Sequence, residues 1–306
     1  MSDSAYDHQD LGCWTKRGRV LALAGDQGPG PDVMVIGGLH GNEPEGLAAG
    51  QMVIDELAKA GVALPGRIVL VAGNLGALQT GCRFLDRDLN RGWRAEMIER
   101  VRARSTWEMS REDREQLELI AFFKAFLASA KHEVVLVDLH TTSADAPPFS
   151  VVTRSEGNIR LARALGLPVI LGFDDYVDSP ILTWFKDHGC PAIGVEGGGI
   201  GDGESAVHLA AALRCVLRAL GWPSAGQERL EPELGEVFRI VHRHSVVPGS
   251  SFKMEPGFRS FQPVQRGQLL AYDRGGAIRA MTSAQLFMPL YQAQGSDGFF
   301  LLRPLA

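Results

Sequence analysis

Residues 33–61 read VMVIGGLHGNEPEGLAAGQMVIDELAKAG, and the order of features in this stretch decides the fold class. Val33 to Ile36 is a short apolar run, which suits a strand buried on both faces of an α/β sheet. The run closes in Gly37-Gly38. Pro44 to Ala60 then begins with proline and is followed directly by Gly61, and these are start and stop signals of a helix. The stretch therefore predicts a strand, a tight turn and a helix in succession.

The same alternation recurs along the first two thirds of the chain. Further short apolar runs lie at Ile68 to Ala72, Val134 to Val137, Val151 to Thr153, Val169 to Leu171 and Ala192 to Val195. Helical patterns lie between or after them at Arg111 to Ala130 and Ser205 to Leu220, the second of which stops at Gly221. Strands that alternate with helices are typical of a layered α/β domain.

The pattern changes after Leu220. Residues 221–231 (GWPSAGQERLE) carry glycine, proline and serine without a clear period and are typical of a linker. Beyond them, short alternating runs such as Val237 to His242 and Leu269 to Tyr272 are separated by Gly and Pro turns, which predicts a β-rich region. We therefore expect an α/β domain over residues 1–225 and a small all-β domain over residues 226–306.

Composition excludes several classes of protein. The 306 residues are 45% hydrophobic and 22% charged, which is ordinary for a soluble globular chain. A net charge of -5 argues against a nucleic-acid-binding footprint. The 4 cysteines form no CxxC pair, which argues against a disulfide framework or a cysteine zinc site. The polar N-terminus is unlike a signal peptide, and no apolar stretch is long enough to cross a bilayer, so we expect a cytoplasmic protein without membrane contacts.

Metal-ligand side chains follow three of the apolar runs. His40 and Glu43 come after the first run, His140 after the run that ends at Val137, and Glu196 after the run that ends at Val195. Ligands bind beyond the carboxyl ends of the strands in open α/β sheets. If these strands are parallel, all the side chains lie at one edge. A carboxylate such as Glu196 is also costly after an apolar run unless it is paired or functional.

His40, Glu43 and His140 together suit a zinc ion. Two imidazole nitrogens and one carboxylate leave a tetrahedral zinc with one open position, as in catalytic sites. Alone, an HxxE pair is more often a plain helix start, and a lone histidine after a strand is more often a core residue. The joint occurrence of the side chains at strand ends favours a metal site. Cobalt, manganese or iron could occupy the same ligands.

An arginine-rich segment lies between the second strand and the second long helix. Residues 82–94 read CRFLDRDLNRGWR, with Asp86 and Asp88 between the arginines. One interpretation is a solvated loop of surface ion pairs. The other is a cationic clamp, because a guanidinium grips a carboxylate with two hydrogen bonds. In an acidic chain, such a local cluster points to a small anionic substrate.

At these residues the sequence resembles the succinylglutamate desuccinylase and aspartoacylase family, which is related to the zinc carboxypeptidases. Four segments carry the resemblance, in the family's order and approximate spacing: Gly38 to Glu43, Asp88 to Arg91, Asp138 to His140 and Gly194 to Glu196. It covers residues 30–200. The fold that it implies is α/β, a zinc-carboxypeptidase-like mixed sheet with helices on both faces, followed by a small C-terminal all-β domain.

The resemblance also implies roles for individual residues. His40, Glu43 and His140 match the ligands of one Zn²⁺ per chain. Glu196 matches the catalytic glutamate, and Arg83 matches the arginine that polarises the scissile carbonyl. A further pair, Asn90 and Arg91, matches the residues that hold the substrate carboxylate, in a loop that Asp88 supports.

The implied activity is that of a zinc-dependent amidohydrolase, a deacylase that cleaves the amide bond of an N-acylated amino acid or a similar small carboxylate-bearing substrate. A zinc carboxypeptidase acting on peptides and a non-catalytic metal-dependent binding protein are the alternatives. One departure concerns specificity. Residues 176–188 contain Lys186 but no arginine, whereas aspartoacylases have an arginine upstream of the catalytic glutamate that binds a second carboxylate. The acyl group, the amine half and the oligomeric state stay open.

Overall fold

A large mixed sheet with helices on both faces organises the chain. The computed structural model describes residues 18–26, 28–223, 235–247 and 249–305. The strands are β1 (Val20–Ala24), β2 (Asp32–Gly37), β3 (Ile68–Ala72), β4 (Val134–Thr142), β5 (Phe149–Val152), β6 (Val169–Leu171), β7 (Ala192–Gly199), β8 (Val237–Ser245), β9 (Lys253–Met254), β10 (Gln262–Val264), β11 (Leu269–Asp273), β12 (Gly276–Arg279), β13 (Ala284–Phe287) and β14 (Asp297–Pro304). The helices are α1 (Glu45–Ala60), α2 (Leu75–Thr80), α3 (Ala95–Arg102), α4 (Arg111–Ser129), α5 (Glu156–Leu165), α6 (Ile181–Asp187) and α7 (Ser205–Ala219).

The centre of the sheet is parallel, which the site prediction required. Strand β2 pairs in parallel with β3 on one side and with β4 on the other, and β4 pairs in parallel with β7. Every residue of β2, β3 and β4 is buried, as expected for strands covered on both faces. All six apolar runs form strands, and β4 continues to Thr142, so that it includes His140. The predicted α/β class is confirmed.

Two hydrophobic clusters lie on opposite faces of this sheet. One cluster joins α1, α5 and α7 to the sheet, and the other joins α3, α4 and α6 to it. In α4 the largest contribution comes from Phe122, Phe123 and Phe126, all fully buried. Each such side chain contributes about 1.5–3 kcal/mol when removed from water. Besides α1, two long helices were predicted, and the observed helices α4 and α7 agree with the predicted bounds within one residue at each end.

The short helices α2, α3, α5 and α6 and the edge strand β1 were not predicted. Helices α2 and α6 span 6 and 7 residues, which is less than the stretch over which a 3.6-residue period can be recognised. Helix α5 has a clear capping signal, since Ser155 accepts a hydrogen bond from the Asn158 backbone N–H. Ser155 was therefore a sequence signal from which the start of α5 could have been predicted.

The C-terminal region continues the main sheet. Strand β8 pairs in parallel with β6, and β14, β13 and β10 follow in order, which completes an 11-stranded sheet among the described residues. Strands β9, β11 and β12 form a separate 3-stranded sheet. Residues 235–247 and 249–305 contain strands and no helix, as expected. Residues 224–231 of the expected linker lie outside the described residues, as does the boundary near residue 225, so the two-domain division stays a prediction.

In the part of the chain that the structure describes, no helix combines the length and the apolarity that crossing a membrane requires.

Candidate metal centre

The turn between β2 and α1 brings His40 and Glu43 to the same place. Gly38 has φ +69°, a conformation that L side chains rarely adopt. At Gly41, a Cβ atom would lie 2.1 Å from the backbone carbonyl carbon of Ala77, so the turn packs directly on helix α2. The Glu43 backbone N–H donates to the His40 carbonyl oxygen at 3.1 Å. Glycine at these two positions therefore allows the tight turn that juxtaposes the two side chains.

The three predicted ligands form one buried cluster. His40 Nδ1 lies 2.9 Å from Glu43 Oε1, and His140 Nδ1 lies 2.9 Å from Glu43 Oε2. The two imidazole rings are 5.0 Å apart between centroids. One donor atom from each of the three residues lies within 4.8 Å of the others. Strand β4 supplies His140, so the parallel arrangement of β2 and β4 assembles the cluster from positions far apart in the chain.

Two aspartates contact the outer nitrogens of the histidines. Asp138 Oδ2 lies 3.0 Å from His140 Nε2, and Asp88 Oδ1 lies 3.1 Å from His40 Nε2. Carboxylates in this position fix the ring orientation of metal-ligating histidines and increase their basicity. The contact of Asp138 follows from its place two residues before His140. That of Asp88 with His40 has no sequence signal, because it joins two loops.

The electrostatics of the cluster favour a charged carboxylate among imidazoles. Burial opposes the charge on Glu43, but attraction to His40 and hydrogen bonds with both histidines hold its pKa below the usual range. Burial likewise opposes the charge on His140, and Asp138 and Glu43 outweigh it, which raises the pKa of that imidazole well above its usual value. The lowered pKa of Glu43 and the raised pKa of His140 both mean that a negative carboxylate beside a positive charge is the favoured state of the cluster.

This donor set fits a divalent metal ion. Two imidazole nitrogens and one carboxylate are the ligand types of catalytic zinc sites. Both Nδ1 atoms face the Glu43 carboxylate, and their Nε2 atoms are already held by Asp88 and Asp138. His40, Glu43 and His140 are the residues that would hold the ion.

Glu196 lies beside the cluster on the next strand. It is the register partner of His140 in the β4–β7 ladder. Its Oε2 atom is buried and has no hydrogen-bond partner among the described residues. Burial is the main cause that raises the pKa of this carboxyl to about 8, with the charges of Glu43 and Asp138 adding to it against His140 and Arg83. A poorly solvated carboxyl with a pKa near neutrality suits an acid–base group.

The arginine-rich loop reaches the cluster through two of its arginines. Arg83 Nη2 donates to Asp88 Oδ2 at 3.0 Å, and Arg83 Nη1 lies 3.4 Å from Glu43 Oε1. Arg91 Nη2 donates to Asp297 Oδ2 at 2.6 Å. Both guanidinium groups line the same cleft as Glu196. The arginine-rich loop is therefore more than a set of surface ion pairs, because two of its arginines line the cleft.

Asn90 takes a different place. Its Oδ1 accepts from the Ile181 backbone N–H at 2.9 Å, and its Nδ2 lies 3.4 Å from His140 Nε2. It is absent from the residues that line the cleft in the described structure. The structure therefore brings Asn90 next to His140 and holds both ends of its amide within the protein. Its role in substrate binding stays a prediction.

A buried glutamate that was not predicted from the sequence holds the arginine-rich loop in place. Glu112 of α4 is fully buried. Its carboxylate accepts from the backbone N–H groups of Leu85, Asp86 and Arg87 at 2.7, 3.0 and 3.2 Å. The Asn74 side chain donates a fourth hydrogen bond at 3.1 Å. In the sequence, Glu112 is an ordinary acidic residue in the first turn of a helix, so only the folded structure identifies it.

A loop from the C-terminal region closes one side of the cleft. Residues 288–296, between β13 and β14, bond to three different parts of the site. Asn42 Nδ2 donates to Gln292 Oε1 at 3.0 Å, Gln294 Nε2 donates to the Phe84 carbonyl at 3.1 Å, and the Tyr291 backbone N–H donates to Ser143 Oγ at 3.4 Å. The cleft has an empty volume of about 540 Å³, including the part open to solvent.

Lys186, the cation of residues 176–188, does not line the cleft. Lys186 is exposed and pairs with Asp174, with 3.2 Å between Nζ and Oδ2. Neither residue belongs to the cleft lining. From this region it is Phe173, just before the segment, that lines the cleft.

Comparison with known proteins defines the class. Residues 29–220 match the family model of the succinylglutamate desuccinylase/aspartoacylase catalytic domain. Since this match covers more than half of the 306 residues, the chain belongs to the succinylglutamate desuccinylase/aspartoacylase family.

Curated relatives match over part of their length. A "Probable aspartoacylase" of Prochlorococcus marinus is 33% identical over 165 residues, which is 51% of this chain and 51% of the relative. The succinylglutamate desuccinylase of Paraburkholderia xenovorans is 36% identical over 59 residues, 19% of this chain and 17% of the relative. The chain thus spans about half of the length of the first relative and less of the second.

Solved structures share the fold over most of the chain. Succinylglutamate desuccinylase of Vibrio parahaemolyticus has a TM-score of 0.68 at 14% identity, covering 91% of this chain and 83% of that one. The product-bound ectoine utilization protein EutE of Ruegeria pomeroyi has a TM-score of 0.65 at 20% identity, covering 92% and 86%. At these identities the likeness concerns the fold, and it agrees with the predicted fold class.

Proposed function

We propose that this chain is a zinc-dependent amidohydrolase, a deacylase that cleaves the amide bond of an N-acylated amino acid or a similar small carboxylate-bearing molecule. The observation that carries the proposal is the buried cluster of His40, Glu43 and His140 beside Glu196, whose buried Oε2 atom has no hydrogen-bond partner among the described residues. Family membership supports the same chemistry. One zinc ion per chain is the proposed cofactor, and a cytoplasmic location remains the expectation.

The proposed mechanism assigns one task to each side chain. His40, Glu43 and His140 would hold the zinc ion, which would supply Lewis acidity to the carbonyl of the substrate and to water, whose pKa such an ion lowers towards about 7. Glu196 accepts the proton of the attacking water and later donates it to the leaving amine nitrogen. Arg83 stabilises the negative charge that develops on the carbonyl oxygen. The products are a carboxylic acid and a free amine.

Substrate orientation is assigned to the arginine-rich loop. Arg91 lines the cleft and holds the substrate carboxylate. Asn90 is proposed to support this contact from beside His140, since its Nδ2 lies 3.4 Å from His140 Nε2. Asp88 and Asp138 hold the outer nitrogens of the ligand histidines.

The 288–296 loop favours a small substrate over a peptide. Its hydrogen bonds to Asn42 and to the backbone of Phe84 run across one side of the cleft. A peptide that continues beyond the scissile bond needs an open groove there.

A substrate-length profile tests the proposal. Purified, zinc-supplied protein is incubated with N-acetyl, N-succinyl and N-formyl amino acids and with peptides of two to six residues, and the released amine is quantified. We expect release from one class of N-acyl amino acids, sensitive to chelator, and falling steeply with peptide length. Equal or greater release from longer peptides would support the carboxypeptidase alternative, and metal binding without turnover would support a non-catalytic binding protein.

A further inference from the structure

Part of the cleft lining is apolar. Besides the charged residues, the lining includes hydroxyl and amide side chains, those of Thr141, Thr142, Ser143, Gln292 and Ser296, and six apolar residues, Ala144, Phe173, Met288, Pro289, Leu290 and Phe300. The Phe173 and Phe300 rings pack with 5.4 Å between centroids. Phe300 is nearly fully buried, so its ring is fixed by the core of the C-terminal strands. A substrate in the cleft therefore meets a preformed apolar surface.

The positive charge in the cleft is largely compensated. Among the described lining residues, the side chains with a permanent positive charge are Arg83 and Arg91. Arg83 faces Asp88 at 3.0 Å, and Arg91 faces Asp297 at 2.6 Å. Apart from these two paired arginines, the described lining offers a second substrate carboxylate only apolar side chains and uncharged hydroxyl and amide groups. A buried charge without an opposite charge beside it is disfavoured.

We propose that the substrate carries a single carboxylate and an apolar group, so that the cleft selects N-acyl derivatives of apolar amino acids over those with acidic side chains. This inference rests on the proposed function and specifies its substrate class. Arg91 takes the one carboxylate, and Phe173, Leu290 and Phe300 surround the apolar group.

Binding and turnover, measured separately, distinguish this inference from the proposed function. Calorimetry on the zinc-supplied Glu196→Gln variant compares N-acetyl-leucine with N-acetyl-aspartate, while kcat/KM for the same pair is measured on the unaltered protein. We expect N-acetyl-leucine to be favoured at least about 10-fold in both, since one apolar group in a fitted pocket supplies that much. A preference for N-acetyl-aspartate, or binding of neither compound, overturns the inference. If neither compound is hydrolysed but the leucine derivative binds more tightly, the proposed deacylation of these compounds fails, whereas the preference of the cleft for an apolar group over a second carboxylate stands.

A charge introduced into the apolar part provides a second test. Leu290→Arg adds a cation to the part of the cleft lining that the 288–296 loop supplies, and Leu290→Gln, of similar size and uncharged, is the matched control. We expect the binding ratio of N-acetyl-aspartate to N-acetyl-leucine to rise at least about 10-fold in the arginine variant over the glutamine variant, as for one added charge pair in a partly buried site. An equal ratio in the two variants shows that this surface does not contact the substrate side chain and overturns the inference.

Discussion

Asp297 on β14 accepts a hydrogen bond from Arg91, with 2.6 Å between Oδ2 and Nη2, although 206 positions separate the two residues in the chain. The other carboxylate oxygen of Asp297 accepts from Arg243 Nε at 2.6 Å. Arg243 in turn donates to the Tyr176 carbonyl oxygen at 2.8 Å. The C-terminal strands therefore set part of the charge of a cleft whose His40, Glu43 and His140 cluster is built on strands β2 and β4.

Removal of the Asp297 charge is expected to change the selectivity of the cleft. In Asp297→Asn the shape is kept, but Arg91 and Arg243 lose the carboxylate between them. We expect the ratio of kcat/KM for N-acetyl-aspartate to that for N-acetyl-leucine to rise about 10-fold, because one charge at this range is worth roughly 1–2 kcal/mol in a partly buried site. A general loss of Arg91 positioning would lower kcat/KM for both substrates alike, so it cancels in the ratio. Steady-state kinetics on both substrates measure it.

The control for this prediction is Asp55→Asn, the same chemical change on the exposed face of α1. Its selectivity ratio should equal that of the unaltered protein. An unchanged ratio in Asp297→Asn as well means that the carboxylate does not act on the substrate.

Glu112→Gln tests how the arginine-rich loop is positioned. Glutamine has one acceptor oxygen, so backbone N–H groups among those of Leu85, Asp86 and Arg87 are left without a partner. We expect the free energy of unfolding to fall by about 1–3 kcal/mol for the buried donors that lose their acceptor. A rise in KM at least about 10-fold should accompany it because the cleft arginines lose their orientation, a loss similar to that caused by removing groups that support a metal site.

Glu99→Gln is the matched control, since Glu99 is 66% exposed and pairs only with Arg102 among the described contacts. Denaturant unfolding and steady-state kinetics are measured on both variants. If Glu112→Gln matches the control in stability and in KM, then the buried carboxylate does not position the loop.

Glu196→Gln separates catalysis from binding. Its carboxyl is the proposed acid–base group, whereas the metal ligands are other residues. We expect kcat to fall about 100- to 10,000-fold, the range for loss of a general acid–base group, while zinc content stays the same. Rapid-mixing or endpoint assays over hours give kcat, and metal analysis gives the zinc content. A kcat within a few-fold of the unaltered protein contradicts the assignment.

The sheet centre and the cluster of His40, Glu43 and His140 could be predicted because the same segments encode both. Apolar runs such as Val33 to Ile36 are buried on both faces, and the polar residues that follow them must share the edge where parallel strands end. His40, Glu43 and His140 could therefore be grouped before their distances were known. The family resemblance added the tasks of the other residues, which remain predictions.

Other features depend on contacts that no local pattern encodes. Asp297 meets Arg91 because β14 joins the sheet through β8, and an alternating strand sequence does not specify which loop it will face. In the sequence, Glu112 is an acidic residue at the start of a helix. Its role depends on three backbone donors from residues 85–87, which only the folded chain brings to it. Short helices such as α2 contain too few turns for a period to be recognised.

The most direct test of the central claim is the zinc stoichiometry of the purified protein after zinc is supplied and excess metal is removed, with His140→Ala measured alongside. The His40, Glu43 and His140 cluster predicts about one zinc per chain in the unaltered protein and a large loss in the variant, because a catalytic zinc site depends on three protein ligands. Absence of zinc from the unaltered protein, or equal zinc in both proteins, would contradict the metal centre and with it the proposed hydrolytic mechanism.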